Sequence, residues 1–200
     1  MVNKEIWIDE FLNSLKDAKL ERTLGVFPGI SCSNKPSYNF SSNDYLNLSS
    51  HPQLLGAVAN SQQVGAGASR LISGTNKLHL ELEASLARLL KKDAALVFGS
   101  GYLANLGFLS SYLRREDSVF SDRLIHASLI DGIRLSGAKH HRFQHNDPNH
   151  LRELLSKHHR QRRSGAQTLI VIESVYSMDG DLAPLSDYVE LSKEFESHLF

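Results

Sequence analysis

Apolar residues along the chain fall into two kinds of run, and the runs alternate. Ala94-Ala95-Leu96-Val97-Phe98 and Thr168-Leu169-Ile170-Val171-Ile172 are continuous and uncharged, the pattern of strands buried on both faces. Ser118-Val119-Phe120-Ser121-Asp122 predicts a shorter strand with a polar end, and His140 to His145 an extended segment. Between these segments apolar positions recur at helical spacing. Leu103, Leu106, Leu109 and Leu113 follow the first strand, and a helix from Thr75 with Leu78, Leu82, Leu86, Leu89 and Leu90 precedes it. Ile125 to Leu129 leads into a helix reaching Ser136. Asp147-Pro148, an N-cap followed by proline, opens another whose inner side is Leu151, Leu154 and Leu155. A last helix is predicted from Pro184 to Glu196, and Ser197 to Phe200 begins a strand. Strands and helices alternating at this spacing predict βαβ units and a mostly parallel sheet.

The N-terminal quarter is patterned differently. Ile6, Trp7, Phe11, Leu15 and Leu20 predict an amphipathic helix within residues 4–20. A Gly/Pro/Ser-rich connector from Gly25 to Ser37 follows, then a short strand at Tyr38-Asn39-Phe40 and a polar turn over Ser41 to Leu46. Pro52 suits the start of a short helix over Leu54 to Gln62. The three glycines between Val64 and Gly74 predict either a close backbone approach or a flexible loop.

In parallel sheets, ligands bind beyond the carboxyl ends of the strands. Polar segments after Phe98, Phe120 and Ile172 converge there. The first, Gly99-Ser100-Gly101-Tyr102, breaks from strand to helix through small residues, which leaves first-turn N–H groups for an anion such as phosphate. By itself the turn reads more simply as a tight connection with glycines where positive φ is needed. His126 follows the second strand end; by itself it reads as a satisfied core histidine, but at this edge its flat ring could stack on an aromatic ligand. Glu173, Ser177, Asp179 and Asp181 supply carboxylates and a hydroxyl at the third. Together they describe a site for a phosphate-bearing heteroaromatic ligand.

Composition narrows the classes. Lys plus Arg and Asp plus Glu both number 22, so the balanced charge argues against a nucleic-acid or anionic-membrane binder. Cys32 is the single cysteine, which excludes an internal disulfide and a multi-cysteine zinc site and fits a reducing, cytoplasmic setting. No apolar run has the length of a membrane span, and Asp9 and Glu10 argue against a signal peptide. His140, His141, His145, His150, His158 and His159 crowd together without a recognised ligand spacing, so no metal is expected. Lys157 to Arg163 reads as a solvated helix end.

Six strings in order resemble one family: S-S-N-D-Y-L (41–46), G-A-G-A-S-R-L-I-S-G (65–74), F-G-S-G-Y-L-A-N (98–105), S-D-R-L-I-H-A-S-L-I-D-G (121–132), H-N-D (145–147) and E-S-V-Y-S-M-D-G-D (173–181). The chain resembles the α-oxoamine synthases, pyridoxal 5′-phosphate enzymes of the aspartate-aminotransferase fold (fold type I). Asn47 departs from the glycine usual in the first string's extension. The resemblance implies that Gly101 and Tyr102 offer N–H groups to the cofactor phosphate. It implies that His126 stacks on the pyridine ring and approaches the substrate, that Ser177 bonds the ring hydroxyl, and that Arg22 and Asn43 contact substrate. Among family members the strings lie nearest the biotin-pathway branch, which condenses L-alanine with pimeloyl-CoA or a pimeloyl carrier protein and loses carbon dioxide. Other acyl-CoA condensing members, of the glycine C-acetyltransferase or serine palmitoyltransferase kind, are the alternative, as is a non-catalytic phosphate-binding remnant or partner subunit. A homodimer is implied. The family's cofactor lysine and its ring-nitrogen aspartate have no counterpart in these 200 residues. We therefore expect residues 1–40 to be an N-terminal helix and connector, and 41–200 to be the first part of a cofactor-binding large domain, inactive alone and exposing apolar surface.

Overall fold

The computed structural model describes residues 6–22, 24, 39–61, 63, 65–160 and 164–200. The chain divides into two compact units, Met1–Gly65 and Ala66–Phe200. In the first, helix α1 covers Ile6–Asp17 and α2 covers Pro52–Ala59, with Pro52 opening α2 as its fixed φ favours. The connector over 25–37 and Tyr38 lie outside the described residues. Asn39 and Phe40 are not a strand. The Asn39 carboxamide oxygen instead accepts the Ser41 N–H at 3.0 Å, the local side-chain bond that makes Asn a turn former. Asp44 organises the next turn, accepting from the N–H groups of Leu48 and Ser49 and from the Ser49 hydroxyl. Asn47 sits there at φ 53°, the left-handed conformation that glycine adopts freely and asparagine tolerates.

In the second unit four parallel strands, β1 (Ser118–Asp122), β2 (Lys139–Phe143), β3 (Thr168–Val171) and β4 (His198–Leu199), lie in the order β2-β1-β3-β4. Alternate residues on the central strands feed opposite faces. Val119, Leu169 and Val171 pack with Leu109, Leu113, Leu129 and Ile133, from helices α4 (Gly101–Tyr112) and α5 (Ala127–Ser136) or the residue closing α4. Phe120, Ile170 and Ile172 pack with Leu151 and Leu155 of α6 (Pro148–His159) and with Tyr188 and Leu191 of α7 (Leu185–Glu194). The result is a three-layer α/β/α arrangement, as an all-parallel sheet requires.

One expectation in this unit needs correction. Ala94 to Phe98 is extended but belongs to no ladder among the described residues. Side chains take the ladder's place at Val97: its N–H donates to the Glu83 carboxylate at 2.9 Å, and its carbonyl accepts from Arg70 at 3.2 Å. The leucines of helix α3 (Lys77–Leu89) do share a face, yet Leu78, Leu82, Leu89 and Leu90 are exposed. The glycine-rich segment resolves as a close approach: Arg70–Gly74 forms a π-helical turn, and a Cβ on Gly74 would lie 1.8 Å from the Ala68 carbonyl oxygen.

Candidate cofactor site

Helix α4 starts one residue before Tyr102. Ser100 is its N-cap. The Ser100 hydroxyl oxygen accepts the Leu103 N–H at 3.2 Å and its carbonyl accepts the Ala104 N–H at 3.0 Å. Those bonds use the third and fourth donors of the first turn. The N–H groups of Gly101 and Tyr102 have no partner among the described residues, and a Cβ placed on Gly99 or Gly101 meets nothing within 4 Å. Two unpaired donors thus face open space at the positive end of a helix dipole, which is the donor set a phosphate takes.

The same helix positions His126. Gly132 of α5 lets α4 come close, since a Cβ there would lie 3.0 Å from Leu109 Cβ and 3.1 Å from the Asn105 carbonyl oxygen. Across that contact Asn105 Nδ2 donates to the fully buried Ser128 Oγ at 2.9 Å, and the Ser128 hydroxyl donates to His126 Nδ1 at 2.7 Å. The Ser128 N–H also points at Nδ1, 3.2 Å away, with His126 as the N-cap of α5. With Nδ1 accepting, the neutral ring carries its proton on Nε2. One turn earlier on α4 the Tyr102 hydroxyl donates to Asp131 at 2.5 Å, and that bond pushes the phenol's pKa up. The phosphate donors and the exposed His126 are therefore held to each other by two polar cross-links.

The loop after β3 completes this edge. A Glu173 carboxylate oxygen accepts the His126 N–H. Beyond it the loop folds on itself: Val175 and Leu182 form an antiparallel bridge, Tyr176 N–H donates to the Asp181 carbonyl at 3.0 Å, and Gly180 N–H to the Tyr176 carbonyl at 2.8 Å. Ser177 lies exposed in this loop, at the same sheet edge as His126, with its hydroxyl unengaged among the described residues. The structure brings Gly101, Tyr102 and His126 together and sets Ser177 on the adjoining loop. Arg22 and Asn43 are exposed residues of the first unit, and their side chains make no bond among the described residues.

Asn105, Ser128 and Asp131 did not emerge as site residues from the sequence, although a signal existed. Ser128 and Asp131 are polar residues three apart on one helix, and Asn105 follows Gly101 by one turn. The crowded histidines serve separate tasks. His140 meets the Ser121 hydroxyl, His141 stacks on Phe120, His150 accepts the Gln144 N–H, and His145 bridges two carboxylates. Among the described residues no helix is long and apolar enough to cross a membrane.

A family model, aminotransferase class I and II, matches residues 35–200. The 8-amino-7-oxononanoate synthase of Acidithiobacillus ferrooxidans (strain ATCC 53993 / BNL-5-31) is 46% identical over 176 residues, covering 83% of this chain and 44% of that protein. The chain thus spans about half the length of the curated relatives it matches. Among solved structures, a serine palmitoyltransferase of Sphingomonas wittichii aligns with TM-score 0.71 and 33% identity, over 78% of this chain and 39% of that one. The 8-amino-7-oxononanoate synthase of Francisella tularensis aligns with TM-score 0.61 and 31% identity, over 76% and 41%. A further serine palmitoyltransferase, described as holding pyridoxal phosphate, aligns with TM-score 0.70 over 76% and 38% at 32% identity. With its parallel sheet, its helix-terminal donors and these likenesses in agreement, the chain belongs to the aminotransferase class I and II family, and its relatives within it are α-oxoamine synthases.

Proposed function

We propose that this chain supplies the phosphate- and ring-binding half of a pyridoxal 5′-phosphate-dependent transferase. Its reaction is the decarboxylative condensation of L-alanine with pimeloyl-CoA to 8-amino-7-oxononanoate, a step of biotin synthesis. The observation that carries this reading is the pair of unpaired N–H groups at Gly101 and Tyr102 beside a histidine oriented through Ser128 and Asn105. The family and the cofactor-bound neighbour support the choice of cofactor. When bound, pyridoxal phosphate supplies the electron sink for a carbanion at the amino acid's α-carbon. The protein's contribution is position and electrostatics. Gly101 and Tyr102 donate to the phosphate. His126, its ring oriented through the donors at Nδ1, would stack on the ring and present its other face to substrate. Ser177 donates to the ring hydroxyl. Arg22 is assigned to the acyl substrate and Asn43 to the amino acid, and the full-length protein is assigned as a homodimer. None of the chain's own lysines is assigned to the cofactor, so borohydride treatment of these 200 residues with pyridoxal phosphate should fix none of it specifically.

The serine palmitoyltransferase neighbours favour a second reading, in which serine and a longer acyl-CoA are the substrates. CoA release from pimeloyl-CoA with alanine, measured beside palmitoyl-CoA with serine in the protein that carries this chain, separates them. The first pair should turn over faster. Binding of pyridoxal phosphate no tighter than that of pyridoxal would overturn the phosphate-cup reading itself.

A further inference from the structure

The same sheet edge holds a second polar cluster, built on Asp122, His145, Asn146 and Asp181. The Asp122 carboxylate ends β1 fully buried. It accepts the Leu124 N–H at 2.8 Å on one oxygen and the Asn146 N–H at 2.8 Å on the other. His145 Nδ1 lies 3.0 Å and 3.1 Å from the two oxygens. The other ring nitrogen, Nε2, is 2.6 Å from Asp181 Oδ2, which also accepts from the Asn146 carboxamide at 2.6 Å. Asn146 Nδ2 reaches the Leu182 carbonyl as well, at 3.2 Å, from a backbone held at φ 49°. The Tyr176 ring meets the imidazole edge-on, with centroids 4.5 Å apart.

A carboxylate has no proton to give, so an imidazole between two of them satisfies both only with N–H on both nitrogens. The arrangement therefore calls for the imidazolium. The two ends differ when the proton leaves. Asp122 keeps two backbone donors, whereas Asp181 keeps only the Asn146 carboxamide. The neutral ring then retains Nδ1–H on the buried carboxylate and loses Asp181.

We propose that His145 is a positioning residue for the loop between β3 and α7: its imidazolium ties the buried end of β1 to Asp181, and loss of the proton frees the loop that carries Ser177. The consequence for the cofactor rests on the function proposed above; the latch does not. The groups facing His145 are Asp122 from β1, and Asp181 and Tyr176 from the loop. Tyr188 of α7 and Asp147 at the start of α6 lie further back, and the Asp122 charge acts on both tyrosines. Burial disfavours the charge on His145, but the bonds to Asp122 and Asp181 outweigh it and its pKa stands above the ordinary 6.5. A raised folded-state pKa means that the stabilisation is complete below 6.5 and lost as pH rises through the folded value.

Hydrogen exchange across residues 174–183, corrected for intrinsic rates, tests the latch in the full chain between about pH 6 and about pH 9. In the wild type, protection at Tyr176, Gly180 and Ala183 should fall about tenfold over that range, while Phe120 in β1 and Ile170 in β3 stay protected. H145Q should be unprotected in the loop throughout, with no pH step. D181N, altered at the more exposed end, should also lose the step and bring the His145 pKa, read by NMR, back toward its ordinary value. Equal loop protection in wild type and H145Q, or a pH step that persists in H145Q, overturns the proposal. Should H145Q not fold, a step that persists in D181N overturns it equally. Failure of pyridoxal phosphate to bind would strike the proposed function and leave these readouts standing.

Discussion

Replacing Ser128 by alanine isolates the link that orients His126. The substitution keeps the Cβ and removes one buried oxygen, which accepts from Asn105 at 2.9 Å and donates to His126 at 2.7 Å. Each of the two bonds contributes about 1 kcal/mol net, so the total is about 2 kcal/mol. For a chain of this size that lowers Tm by roughly 4–8 °C. Packing should be nearly unchanged, because no carbon is lost. If the three residues act as one unit, N105A and S128A will not add. The double variant should be less damaged than the sum by about 1 kcal/mol, against near additivity for independent sites. Thermal and urea unfolding followed by circular dichroism measure both quantities. NMR of the His126 ring nitrogens reports whether the Nε2–H tautomer survives on the remaining Ser128 N–H. A Tm within about 1 °C of wild type, together with additive N105A and S128A effects, would refute the relay.

Two further substitutions test the scaffold around it. G132V adds methyl groups where even a Cβ lies 3.1 Å from a backbone oxygen of α4, so the helices must separate at a cost of about 1–3 kcal/mol; an unchanged unfolding midpoint would show that the contact is slack. The Arg70 bond, followed by the Val97 N–H, holds Glu83 down to about 2. A depressed carboxylate contributes in full above its ordinary 4.5 and is lost as pH falls toward 2, so acid should weaken the wild type more steeply than E83Q in that window. Parallel acid transitions for the two would remove the argument.

Most of the fold from Ser118 onward was legible because strands and helices there alternate by one rule. Ser118–Asp122, Asp147-Pro148 and Thr168–Val171 carry local signals that agree with their tertiary roles, and the structure repeats those boundaries closely. Ala94 to Phe98 was misread because an apolar run reports burial potential, whereas a strand needs a neighbour's backbone; here Glu83 and Arg70 provide the bonds. Asn39-Phe40 failed for the opposite reason, a short-range side-chain bond defeating a weak β signal. Of the candidate site, the motif strings pointed to Gly101, Tyr102 and His126, which the structure sets at one sheet edge. Ser128, Asn105 and Asp131 were not, because their roles exist only once α4 and α5 are packed across Gly132.

The way the edge is assembled gives such residues a role apart from the proposed ligand contacts. Apolar packing fixes the layers, with Leu109, Ile133, Leu169 and Ile170 fully or almost fully buried between helices and sheet. It does not fix the loops at the strand ends, where Leu124, Val175, Met178 and Leu182 are exposed. Directional bonds do that work: Tyr102 to Asp131, Asn105 to Ser128 to His126, Glu173 to the His126 N–H, and Asp122 through His145 to Asp181. These bonds join α4, the β1–α5 connection, the segment before α6 and the β3–α7 loop, none of which is adjacent in sequence to the next. A charge-assisted bond is sensitive to angle and to protonation, while an apolar contact is sensitive to neither. A site built this way holds its ligand groups to a fixed geometry at the cost of dependence on single polar atoms. Variants at Ser128, His145 or Asp181 should therefore disturb ligand positioning more than they disturb the fold, whereas variants at Leu109 or Ile170 should do the reverse.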